Sequence, residues 1–371
     1  MRFFVPVLFL LAFFTACDSG QKKEASQKAA PVTLRTNNDN IRQNRQPLSL
    51  GPDKLSDFGF FEGKLSDLVP GKGIIPYDLN MPLFSDYADK SRFVAVPPEK
   101  VITVSEDGSL DFPVGTRLIK TFHYPAKNEA GRKLMETRVI EKTDKDWKAL
   151  TYIWNDEQTE AFLEVAGGNI DVELEQDGVL QKVSYSVPDI NQCKTCHGRS
   201  NAVIPLGPKL SQLNRDYTYS EGGTQNQLRY WKSKGILDLN EEPSTIGKFP
   251  EWSSAHTNVG LAARAYLDAN CGSCHHPEGS ANTSGLFLTF DVNDRSKYGI
   301  MKKPVAAGKG SGGRLYGIVP GKPEESILVF RMESTNPGIM MPELGRSLPH
   351  KEGVALIRQW IAELEANAPS Q

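Results

Sequence analysis

Cys193-Lys194-Thr195-Cys196-His197 recurs as Cys271-Gly272-Ser273-Cys274-His275, and this repeated pentapeptide decides how the back half of the chain is organised. C-x-x-C-H is the attachment signature of a c-type haem. Two thiols three positions apart on one turn can form thioethers with the two porphyrin vinyls. The next residue, histidine, then lies beneath the iron as its proximal ligand. The sequence therefore predicts two haem c groups, held by Cys193, Cys196, Cys271 and Cys274, with His197 and His275 on the irons.

The cysteine inventory agrees. The fifth and last cysteine is Cys17, so the motifs leave no thiol pair for a disulfide. Two alternatives stand beside the haem reading: a four-cysteine zinc ribbon and a thioredoxin-like redox pair. The zinc ribbon accounts for neither the histidine after each pair nor the 78-residue spacing between Cys193 and Cys271.

Working outward, residues 256–371 read as a cytochrome c domain carrying the second haem. Val259–Ala269 is expected to be a helix running into Cys271, and Lys351–Leu364 a closing helix. Val354, Ile357, Ile361 and Leu364 recur at helical spacing with Trp360 alongside. Between them, Ile339-Met340-Met341-Pro342-Glu343-Leu344-Gly345 resembles an M-P-x-L-G loop that supplies an axial methionine. Met341 is the expected ligand, Met340 the alternative, and a core-filling pair the bland reading. A thioether ligand raises the haem potential, as suits an electron carrier.

Residues 191–255 read as a first haem-binding segment, with a helix over Thr224–Lys234 and a linker over Asn240–Trp252. Val203-Ile204-Pro205-Leu206-Gly207 mimics the methionine loop with Ile204 in the methionine's place. Isoleucine cannot ligate iron. The sixth ligand of the first iron therefore stays open among an empty position, His123, His256, His276 and His350. His350 is expected to be exposed. Gly308-Lys309-Gly310-Ser311-Gly312-Gly313 lacks P-loop spacing and reads as a loop.

Residues 51–190 read as a β-rich domain, a sandwich or barrel of short strands separated by turn signals. Thr116–Tyr124 alternates, placing Leu118, Lys120, Phe122 and Tyr124 on one face. Strands are also expected over Phe93–Val96, Val101–Val104, Glu136–Glu141, Lys148–Trp154, Ala161–Val165, Asp171–Leu174 and Gln181–Val187.

The N-terminus, MRFFVPVLFLLAFFTAC, has one cation and then an apolar run of secretory-leader length over residues 1–16. Thr15-Ala16-Cys17 resembles a bacterial lipobox, which predicts acylation at Cys17 and export, with ordinary leader cleavage near Ala16 as the alternative. Asp18 suggests inner-membrane retention by the enteric rule. Residues 17–50 are polar and read as a flexible tether. This predicts a periplasm-facing protein held to the membrane by lipid. About 320 residues remain after the tether, enough for two or three domains. The formal charge of −2 gives no basic footprint for nucleic acid.

Leu79-Asn80-Met81-Pro82-Leu83-Phe84-Ser85-Asp86-Tyr87, Phe112-Pro113-Val114-Gly115-Thr116 and Ala265–His275 together resemble a family of bacterial dihaem c-type cytochromes. These are exported haem-binding lipoproteins with a β-rich N-terminal domain and a C-terminal cytochrome c domain. The resemblance covers roughly residues 55–365 and implies two haems on the motif residues above. The function expected is electron transfer with a redox partner protein. Two alternatives are kept: an enzyme similar to dihaem peroxidases, with an open first haem, and a redox sensor.

Overall fold

A computed structural model describes residues 50–106, 108–125, 131–176, 178–199, 202–253 and 258–365. Residues from Leu50 onward cluster as one unit. The stretches expected as leader and tether, with Cys17, lie outside the described residues up to residue 49, as does His256. Among the described residues no helix is long and apolar enough to cross a membrane.

The front half is β-rich, as its alternation predicts. Its main sheet is an antiparallel meander of β1 (Ile74–Tyr77), β2 (Asp89–Ala95), β3 (Arg117–Pro125), β4 (Arg132–Lys142), β5 (Trp147–Trp154) and β6 (Ala161–Leu163), with β1 and β6 at the edges. It is an open sheet, not a closed barrel. A separate hairpin pairs β7 (Gly168–Gln176) with β8 (Val179–Val187).

Both faces of the main sheet are covered. Phe93, Ile119, Val139, Leu150 and Tyr152 bury one face against Leu55, Phe60 and Leu68. The other face is layered by register. Val94, Leu118, Ile140 and Ala149 form an apolar row. The next row along is Arg92, Lys120, Arg138 and Thr151. The third is Lys90, Phe122, Glu136 and Ile153. Lys120 shares its face with Leu118 and Phe122, as the sequence pattern requires.

The boundary expected near residue 190 does not separate two cores. Ile75, Tyr77, Val94 and Leu118 from the sheet share one core with Leu210, Leu213, Leu228 and Trp231 from the following segment. That segment contains α1 (Ile190–His197), α2 (Leu210–Leu213) and α3 (Gln227–Ser233). The helix expected from Thr224 starts only at Gln227. Gly223–Asn226 is a strand, and the Asn226 side chain caps α3 by accepting from Leu228 N. The stretch expected as a linker is fixed in place instead. Phe249 is buried, its amide donates to Ser211 O, and Trp252 N donates to Asn80 O.

The back half is helical around α4 (Val259–Leu267), α5 (Ile327–Glu333) and α6 (Lys351–Glu363). A π turn, Asp268–Gly272, continues α4 into the second motif. Ala262, Ala265, Tyr266 and Leu267 pack on Val354, Ile357, Trp360 and Ile361, and Met81 from the front half joins that core. Gly353 makes the close approach of α4 and α6 possible: a Cβ there would lie 2.3 Å from the Tyr266 hydroxyl. The Gly308–Gly313 stretch is a loop with one short turn over Gly308–Ser311.

Candidate functional site

The first motif closes α1. Asp189 caps the helix by accepting from Asn191 N and Gln192 N, and Gln192 reaches back to Asp189 N. This reciprocal cap fixes where α1 starts and so where its last turn, Cys193–His197, must lie. The second motif follows α4 through the π turn, where His275 N donates to Cys271 O.

The two histidines are held alike. His197 Nδ1 lies 2.7 Å from the carbonyl oxygen of Ile204. A carbonyl can only accept, so Nδ1 carries the proton and the Nε2 lone pair is left free. Ile204 N also donates to His197 O at 2.8 Å. At the second motif, His275 Nδ1 faces Ser284 Oγ at 3.3 Å, and that hydroxyl already donates to Ala281 O. The Leu286 carbonyl is a further acceptor beside the same imidazole. Burial keeps both rings neutral, with His197 lowered to about 4 and His275 lowered as well. A neutral, oriented imidazole with one nitrogen committed to an acceptor is the form that ligates a metal.

This geometry corrects the reading of Val203–Gly207. Ile204 does not stand in for a distal methionine: its backbone clamps the histidine of its own motif. The missing methionine there says nothing about an open iron.

The motifs abut. The Cys196 and Cys274 thiols interact, which lowers Cys274 and raises Cys196. Burial raises Cys193 and pushes Cys271 up to about 12. Two ion pairs tie the same segments together: Arg199 with Glu278, and Lys209 with Asp268 at 2.9 Å. Asp268 also accepts from Phe290 N. No three Cys, His, Asp or Glu side chains converge as a metal centre among the described residues. A four-thiolate zinc centre would need all the motif cysteines to meet. Among the described residues they do not gather into such a centre.

Met341 lies in the second motif's neighbourhood. Its amide donates to Arg331 O at 3.0 Å, and the Arg331 charge helps hold His275 down. Arg346 grips the loop, donating to Met341 O, Arg331 O, Ser334 O and Leu348 O. Met340 is buried, whereas Met341 is only half-buried. Arg346 and Arg331 were missed in the sequence because their work is done on backbone carbonyls, which no side-chain pattern reports.

The spare histidines divide. His123 hydrogen-bonds Ser91 Oγ on the sheet face opposite Lys120 and Arg138, and so points away from the first motif. His276 lies beside Glu278 N. His350 is not exposed as expected. Its ring stacks on Phe84 at 4.2 Å, near Tyr87, Trp252 and Tyr266, and its Nδ1 shares a hydrogen bond with Tyr266 Oη at 3.1 Å.

Around Cys193, a cavity of about 360 Å³ has an apolar wall of Leu50, Trp147, Ile190 and Val203, with Lys145, Asp146, Lys148 and Lys194 also lining it. The residues present therefore fit a covalently held porphyrin: paired thiols, oriented neutral imidazoles and an apolar wall. No known protein family, characterised protein or solved structure matches the chain.

Proposed function

We propose that this chain is a dihaem c-type cytochrome that relays electrons at the periplasmic membrane surface, with haem c on Cys193 and Cys196 and on Cys271 and Cys274. The observation that carries the reading is the contact between Cys196 and Cys274, each the second thiol of a motif whose histidine presents a free Nε2. Thioethers at these positions would bring two porphyrin edges together, the arrangement a relay needs.

When bound, haem supplies a one-electron couple. The chain's own residues do the rest. His197 and His275 offer Nε2, with Nδ1 held by the Ile204 carbonyl and by Ser284. Met341 is the candidate second ligand of the second iron, on a loop fixed by Arg346. The back-half helices are read as a cytochrome c domain, with α4 leading into the motif and α6 closing it. The partner would be a redox protein at the same surface. Export and a lipid anchor at Cys17 rest on the leader and the Thr15-Ala16-Cys17 stretch. The peroxidase-like reading loses the feature that favoured it once Ile204 is assigned to the histidine side.

The test is a redox titration of protein matured in an export-competent host, read at the haem bands. Two reversible one-electron steps, with no ligation of carbon monoxide and no peroxide turnover, support the relay. Rapid peroxide turnover with a reduced donor would replace it with the enzyme reading.

A further inference from the structure

We propose that the sheet face beneath the first motif is a built anion site, in which Lys90 and Lys120 receive the two propionate carboxylates of the haem on Cys193 and Cys196. The proposal rests on the dihaem reading and adds to it a role for the β-rich half.

The argument starts from register. Arg92, Lys120 and Arg138 stand directly opposite one another on the adjacent strands β2, β3 and β4, and Lys90 lies one row away. Like charges placed opposite across strands are destabilising, so four cations on one half-buried patch need counterions. Two are accounted for. Arg92 pairs with Asp78, and Arg138 pairs with Glu136 through both carboxylate oxygens. Glu136 also accepts from Tyr185 Oη at 2.6 Å.

The two lysines remain. Lys90 Nζ donates only to the neutral Ala88 carbonyl at 2.8 Å. Lys120 Nζ makes no hydrogen bond or ion pair among the described residues and lies 4.8 Å from the centre of the Phe122 ring. Asp89 is on the opposite face and reaches Lys90 only at a distance. Burial and the neighbouring arginines hold Lys90 down to about 7 and Lys120 well below its usual range. With no carboxylate paired to them, both amines are held toward the neutral form, and an anion placed between them would restore their charge.

The anion's position follows from the motif. The charges of Lys120 and Arg138 both act on the His197 ring, and Arg138 acts on Cys193 and Cys196 as well. Lys120 and Arg138 thus share a region of the sheet face with the first motif, and Lys90 lies one row further along it. Propionates leave a porphyrin on the edge away from its thioether-forming vinyls. A haem held by Cys193 and Cys196 would carry its carboxylates away from those thiols, and over this sheet face they could accept charge-assisted hydrogen bonds from the two lysines.

The experiment uses holoprotein with Lys90→Met, Lys120→Met and Lys120→Arg, after haem has been located on the Cys193–His197 peptide. Resonance Raman reads the propionate bending bands, and a redox titration reads both potentials. The expected result is a shift of one propionate band to the weakly hydrogen-bonded position in each methionine variant, with a fall in the potential of one haem only. Lys120→Arg keeps the wild-type band, which guards against a variant that simply folds poorly. Unchanged bands and potentials overturn the proposal. A change of spin state in Lys120→Met also overturns it, by making that amine an iron ligand, while leaving the dihaem reading intact. Absence of haem from the first motif in wild-type protein would remove the functional reading itself.

Discussion

The Asp86 carboxylate accepts from both the backbone amide and the hydroxyl of Ser347, each at 2.8 Å, although the two residues stand 261 positions apart. It also accepts from Leu348 N. Asp86 is buried and adopts a positive φ of 48°. Beside it, Phe84 N donates to Asn270 Oδ1, next to Cys271, and Tyr87 Oη accepts from Lys351 N. The Leu79–Tyr87 stretch is thus a clasp from the front half onto the second motif and the loop that follows Met341. Replacing Asp86 with alanine strips several buried donors of their acceptor. It should cost about 3 kcal/mol or more. Chemical denaturation checks this, and a loss below about 1 kcal/mol would show that the clasp is dispensable.

Gly353 sets two effects against each other. Alanine favours a helix interior over glycine by up to about 1 kcal/mol. The new methyl, however, would meet Tyr266 atoms at 2.3 to 2.6 Å. Overpacking of that kind typically costs about 1–3 kcal/mol, so Gly353→Ala should be a net destabiliser. Thermal unfolding that rises instead would mean that α4 and α6 can move apart freely.

His350 gives a pH prediction with a definite sign. Burial among Phe84, Trp252 and Tyr266 lowers it from 6.5 to about 4, against a weaker opposing pull from Glu352. The unfolded chain therefore binds its proton first. The contribution to stability is whole above pH 6.5 and disappears as the pH falls toward 4, with a total of about 3 kcal/mol. Denaturation midpoints measured across that window should fall less steeply in His350→Gln, which keeps a hydrogen-bond partner for Tyr266. Parallel slopes would show that His350 titrates normally.

Met340 and Met341 should separate by experiment. Met340 is buried, so Met340→Ala should cost about 2–5 kcal/mol in stability and leave the haem spectrum alone. Met341→Ala should remove the weak sulfur-to-iron absorption of the second haem at a smaller cost in stability. A band lost with Met340 instead would reverse the assignment.

Much of the architecture could be read from side-chain periodicity. Alternation located β3, β4, β5 and the β7–β8 hairpin, and helical spacing located α4 and α6, because each element buries one patterned face. The readings that failed depended on partners distant in sequence or on backbone atoms. His350 looked exposed as a polar residue at a helix start, but Phe84 and Trp252 arrive from elsewhere to cover it. Ile204 looked like a lost ligand because its carbonyl, which holds His197, leaves no trace in residue type. The Asn240–Trp252 stretch looked loose from its Glu, Pro and Ser content, yet Phe249 and Trp252 anchor it. The surplus of cations around Lys120 emerged only when register set Arg92, Lys120 and Arg138 side by side.

The central claim is covalent attachment at both motifs. Intact-mass measurement of protein matured in a host that exports and attaches haem c tests it most directly. The account predicts a chain heavier by two haem groups, one lost in Cys193→Ser/Cys196→Ser and the other in Cys271→Ser/Cys274→Ser. A wild-type mass equal to that of the bare processed polypeptide would contradict it.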